Sequence, residues 1–485
     1  MRRTASYFRG FCVLFFALLG LNSRAASTSR PNIIFILADD LGWRDLHCFG
    51  STFYETRNLD ALAASGVRFT DAYAACCVCS PTRASILTGK YPARLQLTDW
   101  LPGRADKPDQ RLRRPLFVNH LPLEEVTIAA SLKKARYATA CIGKWHLGGP
   151  DFYPDKFGFD VNIAGCRLGS PPSYFSPYKI PTLKDGPAGE YLTDRLTDEA
   201  LRFITASKDK PFFLYLAHYA VHNPQQAKVE LIENYKAKAP TISRGNTPEF
   251  RPEGDRQVRQ IQDQPIYAAM IQSLDESVGR ILKHLDDLRL STNTVVIFTS
   301  DNGGLSTAEG APTSNVPLRA GKGWAYEGGG RVPLIVRWPG KTAVRRISSQ
   351  VVISPDFYPT ILEMAGLPLH PEQHQDGVSI VPFLKNAALE RAGSVFWHYP
   401  HYSNQGGTPY GAIRFGDFKL IEWYEDMRLE LFDLRNDPGE QHSLVGDKSR
   451  LASLRDTLHA WRENMHAGMP SPNPDYQPQP SAGNK

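Results

Sequence analysis

The 485-residue chain has no long apolar run after its first 26 residues, no internal repeat and little cysteine. The first absence excludes a membrane-spanning helix from the body of the protein. Cysteines occur only at 12, 48, 76, 77, 79, 141 and 166, and they form no regular disulfide framework. A chain of this length buries enough core without one. Cys76, Cys77 and Cys79 also lack the paired C-x2-C spacing of a structural zinc site. Excess charge is scarce too. The formal net charge is +6, from 56 basic and 50 acidic residues, and four of the arginines (2, 3, 9 and 24) lie at the extreme N-terminus. Without those four, 52 basic residues face 50 acidic ones, a balance near +2. No basic excess remains to neutralise phosphates, which excludes nucleic acid as the expected partner.

What is present is a globular composition, 42% hydrophobic and 22% charged, behind a distinctive leader. Residues 1–26 combine N-terminal arginines, an apolar stretch from Phe11 to Leu21 and the small-residue end Ser23-Arg24-Ala25-Ala26. This is the pattern of a signal peptide. The other reading, a retained anchor, needs a longer apolar stretch than this one. The protein is therefore expected to be exported, periplasmic or secreted, with no stable membrane insertion once the leader is removed.

Several apolar runs of strand length end abruptly in polar residues. Residues 31–38 end in Asp39-Asp40, 137–143 lead into Lys144-Trp145-His146, 211–217 end in His218 to Asn223, and 294–300 end in Asp301-Asn302. Such runs, separated by helical periodicity at 56–64, 125–137, 191–206, 266–288 and 354–365, predict an α/β fold with a mostly parallel central sheet covered on both faces. Ligands bind at the carboxyl ends of strands in such sheets. Residues 149–176, dense in Gly, Pro and aromatics, are expected to form an ordered loop at the pocket rim. The polar stretch 237–262 is expected to be an insertion or excursion. We place the catalytic domain at 30–383 and a smaller antiparallel sheet with a terminal helix at 384–469. The Pro-, Gln- and Asn-rich stretch 470–485 is expected to be a disordered tail.

The candidate chemistry begins with two pairs of hard oxygen donors, Asp39-Asp40 and Asp301-Asn302. Either pair alone is a common turn or helix cap. Both pairs directly after buried strands suit one calcium or magnesium ion better than zinc. A second element is Cys79-Ser80-Pro81-Thr82-Arg83, where Pro81 fits the first turn of a helix and puts Cys79 at its N-terminus. Unpaired amides, the helix dipole and Arg83 at i+4 would favour a thiolate or a bound oxyanion there, while a buried structural cysteine is the plain alternative. Taken alone, Lys144 reads as a surface lysine and His146 as a loop residue. His218 reads as structural. His398 and His401, in an aromatic stretch, suggest either a sugar subsite or a packed core strand.

Cys79-Ser80-Pro81-Thr82-Arg83 followed by Ala84-Ser85-Ile86-Leu87-Thr88-Gly89 resembles the Cys-x-Pro-x-Arg signature of the type I sulfatases. Ala38-Asp39-Asp40-Leu41-Gly42, Gly143 to Gly148, His222-Asn223-Pro224, Thr299 to Gly303 and Gly321-Lys322-Gly323 are similar to further motifs of that family, and the likeness covers most of residues 31–440. The resemblance implies an alkaline-phosphatase-like catalytic domain with a smaller C-terminal subdomain. It implies a sulfatase in which a maturation enzyme oxidises Cys79 to formylglycine. It also implies Asp39, Asp40, Asp301 and Asn302 as ligands of calcium, with magnesium the lesser candidate. Lys144 and Lys322 would hold sulfate, His222 would protonate the leaving group, and Arg83 and His146 would serve position 79. The implied reaction is hydrolysis of a sulfated carbohydrate by a gem-diol nucleophile through a covalent sulfo-enzyme intermediate. Two other readings share parts of this pattern: a phosphoesterase or phosphonate hydrolase with the same metal loops, and an inactive secreted glycan-binding protein.

Overall fold

The computed structural model describes residues 30–386 and 388–478, so the leader lies outside the described residues. Asn32–Ala38 is the middle of a nine-stranded sheet. It pairs in parallel with Thr294–Ser300 on one side and Phe212–Ala217 on the other, and the latter pairs in parallel with Ala138–Gly143. Only Arg331–Arg337 runs against its neighbours, between Thr294–Ser300 and Val67–Tyr73.

The continuous apolar runs have a simple cause: both faces of the sheet are covered. Ile34 and Ile36 pack with residues of the helices Leu192–Ala206 and Pro265–Asp287, whereas Ile33, Phe35 and Leu37 pack with Ala84, Ile86, Leu87 and the helix Phe357–Met364. The helix Cys79–Thr88 is buried along all ten residues and ends at Gly89, whose φ of 71° is the left-handed geometry that glycine accepts readily.

The strand Val67–Tyr73 escapes a search for unbroken apolar runs because Arg68 and Thr70 alternate with its apolar residues. Its Asp71 pairs with Arg331 and Arg414. The stretch 237–262 holds an ordered hairpin, Phe250–Glu253 with Arg256–Arg259, and Glu253 is paired with Arg319.

A separate antiparallel sheet follows, Val395–Tyr399, Tyr410–Phe415, Phe418–Trp423 and Leu429–Asp433, with the helix Lys448–Asn464 packed on it. The expectation of disorder from residue 470 is corrected as far as 478. Ser471–Pro472 pairs with Leu112–Arg113, and Asn473 donates its amide to the carbonyls of Lys107 and Gln110. Polar composition misleads here because those amides satisfy backbone carbonyls instead of water. Residues 479–485 lie outside the described residues. None of the six described cysteines forms a disulfide, and among the described residues no helix is long and apolar enough to cross a membrane.

Buried ions join the two parts. Lys419 Nζ lies 3.0 Å from Glu327 Oε1 and 2.9 Å from Glu440 Oε1, and Glu440 Oε2 accepts the Glu327 backbone amide at 2.6 Å. Burial and the nearby Glu327 push the Glu440 carboxyl up to about 7, against the pull of Lys419. Removing the shared cation takes away the ion pair of buried Glu440 and one of the two ion pairs of Glu327, whose other partner, Arg331, lies 3.3 Å away. Lys419→Met is expected to lower the unfolding free energy by about 3–5 kcal/mol in a denaturant titration; a loss under about 1 kcal/mol would show that the cation is dispensable.

Candidate active site

Adjacent strands deliver the site residues at one edge. Asp39 and Asp40 follow Asn32–Ala38, Asp301 and Asn302 follow Thr294–Ser300, Lys144 follows Ala138–Gly143, and His222 lies five residues beyond Ala217. The ladder continues past the strand ends: the Asp39 amide donates to Ala220 O at 2.9 Å, Lys144 N to Ala217 O at 2.7 Å and Asp301 N to Ala38 O at 3.2 Å. The strand Val67–Tyr73 leads through a short loop into the helix that begins at Cys79.

Three buried carboxylates face three buried cations. Lys144 Nζ lies 2.8 Å from Asp39 Oδ2, Lys322 Nζ 2.7 Å from Asp40 Oδ2, and the Arg83 guanidinium 2.8 Å from Asp301 Oδ2. Burial, with Asp301 and Asp40 nearby, raises the Asp39 carboxyl despite Lys144. Burial acts upward on Asp40 as well, but Lys322 and His222 outweigh it and hold that carboxyl below its usual range. Asn302 Nδ2 donates to Asp40 Oδ1 at 2.8 Å.

Two oxygens in this cluster, Asp39 Oδ1 and Asn302 Oδ1, are buried without a hydrogen-bond donor. Orphaned acceptors among adjacent carboxylates fit a hard divalent cation, and Asp39, Asp40, Asp301 and Asn302 are the residues that would hold it. His222 also brings a ring nitrogen within reach, since donor atoms of Asp39, Asp40 and His222 lie within 4.8 Å of one another.

Cys79 is 3% exposed at the helix N-terminus, with Sγ 3.3 Å from His146 Nδ1. The other ring nitrogen, His146 Nε2, lies 2.6 Å from Leu101 O and must donate to it. Nδ1 is thereby fixed as the acceptor in a neutral ring. Burial and the nearby Lys144 keep His146 neutral by lowering its pKa well below the usual value. Ser80 Oγ ties the helix start to the same loop, donating to His146 O at 2.9 Å and accepting from Leu101 N at 3.1 Å.

The thiolate considered from sequence is corrected. Burial pushes the Cys79 thiol up, and Lys144 and Lys322 do not reverse it. A neutral buried thiol is an unactivated nucleophile. Arg83 reaches the Asp301 carboxylate and Lys144 O, so it anchors the acidic cluster and the lysine loop. His222 donates Nδ1–H to Asn223 O at 3.0 Å and turns Nε2 towards Asp40, 3.5 Å away; burial, with Lys322 and Lys144, lowers its pKa to about 3. His218 is buried, bonded at 3.1 Å to Ser277 Oγ, and structural.

These groups meet a cavity of about 640 Å³ that includes Cys79, His146, His222 and Lys322 in its lining. The subsite reading of His398 and His401 is not met, because neither is among the lining residues. His398 lies 2.7 Å from Tyr424 Oη and 3.0 Å from Gly468 O, and His401 lies 2.9 Å from Thr98 Oγ1 with its ring edge-on to Phe117. Both are buried; the partners of His398 come from the C-terminal part, and that of His401 is Thr98 of the larger part.

Residues unmarked by any motif line the cavity in their place, among them Trp100, Arg167, Glu309 and Gln405. The only signal for Arg167 lies in the Gly- and aromatic-rich rim stretch. Trp324, within the Lys322 motif, supports Gln405 by donating Nε1–H to its carbonyl at 2.9 Å.

The sequence model of the sulfatase family matches residues 31–367, and that of the N-sulphoglucosamine sulphohydrolase C-terminal region matches residues 320–467. A sulfatase of Formosa agariphila is 31% identical over 96% of this chain and 94% of its own length. N-acetylgalactosamine-6-sulfatase of Canis lupus familiaris is 34% identical over 82% of this chain and 73% of its own. The crystal structure of Ps i-CgsB in complex with k-i-k-neocarrahexaose is 29% identical, with a TM-score of 0.73 over 94% of this chain and 96% of that one. The chain belongs to the sulfatase family and is a sulfuric ester hydrolase.

A cation that binds only the folded protein stabilises it by mass action. Chelator-treated protein is therefore expected to melt at a higher temperature when a divalent cation is restored, and Asp40→Ala to lose most of that increase. An equal increase in the variant would place the ion elsewhere.

Proposed function

We propose that this enzyme hydrolyses sulfate esters of a sulfated carbohydrate, with position 79 acting as formylglycine and calcium as the resident ion. The observation that carries the reading is the 3.3 Å approach of Cys79 to the unprotonated Nδ1 of His146, at the edge of the acidic cluster. Support for a carbohydrate substrate comes from the names of the relatives, an N-acetylgalactosamine-6-sulfatase and a protein crystallised with a neocarrahexaose.

The Cys79 sulfur occupies the place of the hydrated aldehyde oxygens. That group supplies one hydroxyl for attack on sulfur and a second whose deprotonation expels sulfate. Calcium, when bound, supplies positive charge to the sulfate oxygens and to position 79. A serine at 79 would keep its sulfate ester without an internal route of release.

The chain's own residues carry the remaining steps. Lys144 and Lys322 present ammonium groups to the anionic ester, and the amides at the start of the helix Cys79–Thr88 add partial positive charge. His146 Nδ1 accepts the proton from the second hydroxyl; its Nε2–H bond to Leu101 O holds the tautomer that this requires. His222, assisted by Lys322, gives a proton to the departing oxygen. A sulfate monoanion beside His222 opposes the lowering caused by burial and the lysines, which favours the protonated ring when substrate is present.

Oxidation of Cys79 needs a maturation enzyme, and the leader suits an exported, periplasmic or secreted protein. The orphaned hard oxygens favour calcium over zinc. Mass spectrometry of a peptide spanning residues 68–83 is expected to find an aldehyde in place of the thiol at 79. Cys79→Ser is expected to fold with unchanged melting temperature and to release sulfate from sulfated saccharides at least about a thousandfold more slowly. Full activity with an unmodified thiol overturns the scheme.

A further inference from the structure

The loop after Val161–Ile163 is fixed against the base. His146 N donates to Cys166 O at 3.0 Å, and a Cβ placed on Gly169 would come within 2.6 Å of the His146 ring. Arg167 and Leu168, between these two anchors, line the cavity. Arg167 is exposed there, and among the described residues no carboxylate pairs with its guanidinium. Its backbone position is therefore set by the same contacts that set His146, while its charge is left for a ligand.

The lining carries one carboxylate, and it lies elsewhere. Glu309 accepts Gln405 Nε2–H at 2.9 Å through one oxygen and Asn223 Nδ2–H at 3.2 Å through the other, which ties it to the residue following His222. The Asn404 side-chain oxygen, buried without a donor, adds a hydroxyl-accepting position to the same lining. The wall around Glu309 thus suits neutral hydroxyls and repels anions, and the Arg167 loop attracts them. Trp100 adds an aromatic side chain to the lining, a group type suited to contact with a sugar ring.

We propose that Arg167 is a specificity residue that holds a second anionic group of the substrate, a sulfate or a carboxylate, beyond the ester being cleaved. The inference rests on the sulfatase reading and adds a substrate class to it: saccharides with at least two negative charges. A guanidinium presents paired N–H donors that match the oxygens of either anion, and a bond between charged groups in a partly enclosed site is selective by about 10- to 100-fold.

The test compares three oligosaccharides sharing one cleavable sulfate: one with no other charge, one with a second sulfate and one with a carboxylate. Wild-type enzyme is expected to show a higher kcat/KM on a doubly charged substrate. Arg167→Gln should lower that value about 10- to 100-fold, through KM, and leave the singly charged substrate within twofold. Arg167→Lys should restore part of the difference. Whichever doubly charged compound shows the loss identifies the anion. Equal losses on all three substrates, or no loss on any, overturn the proposal. Absence of sulfate release from every ester would instead count against the sulfatase reading. Calorimetric binding of the same compounds to Cys79→Ala, with and without Arg167→Gln, then still decides the role of Arg167: equal affinities overturn it.

Discussion

Three carboxylates buried side by side constrain everything around them. Asp39, Asp40 and Asp301 are each almost fully out of water, and charges so placed persist only with counter-charges at contact distance. Arg83, Lys144 and Lys322 meet that demand, and each arrives from a different part of the chain. The sheet topology solves the positional problem, because neighbouring parallel strands end at the same edge. The helix Cys79–Thr88 then brings its buried arginine and its first residue to that edge together. Cys79, the Arg83 guanidinium and the clustered carboxylate oxygens are thus placed by one electrostatic arrangement.

The C-terminal sheet belongs to the same arrangement at one remove. Glu327 opens the short helix Glu327–Gly330 that follows the loop carrying Lys322, and its partners Lys419 and Glu440 come from the smaller part. Lys322 is further held by its amide, which donates to Gly304 O at 3.0 Å, and Gly323 N donates to Cys77 O at 2.9 Å. The smaller sheet, through Lys419, thus holds the segment that carries Lys322 into the cavity lining.

Much of this was legible in the sequence where chemistry depends on local spacing. The apolar runs ending in Asp39-Asp40 and Asp301-Asn302 mark central strands because burial on both faces removes any polar alternation. Pro81 marks the helix start, and Gly89 closes it. What could not be read is set by tertiary contact. The alternating strand Val67–Tyr73 hides Asp71, whose partners lie hundreds of residues away. His398 and His401 look like pocket residues by composition, yet their hydrogen bonds go to Tyr424, Gly468 and Thr98. Arg167 carries no motif, since its place in the cavity lining comes from the fold and not from its neighbours in sequence.

Gly169 has a consequence for how such an enzyme diversifies. The His146 ring fills the space a side chain would need there, so that position tolerates no growth without displacing that ring. Two residues upstream, Arg167 stands exposed and can be exchanged without disturbing the core. One loop therefore carries both a position closed to any larger side chain and, two residues away, an exposed one where the cavity lining can change without moving the His146 ring.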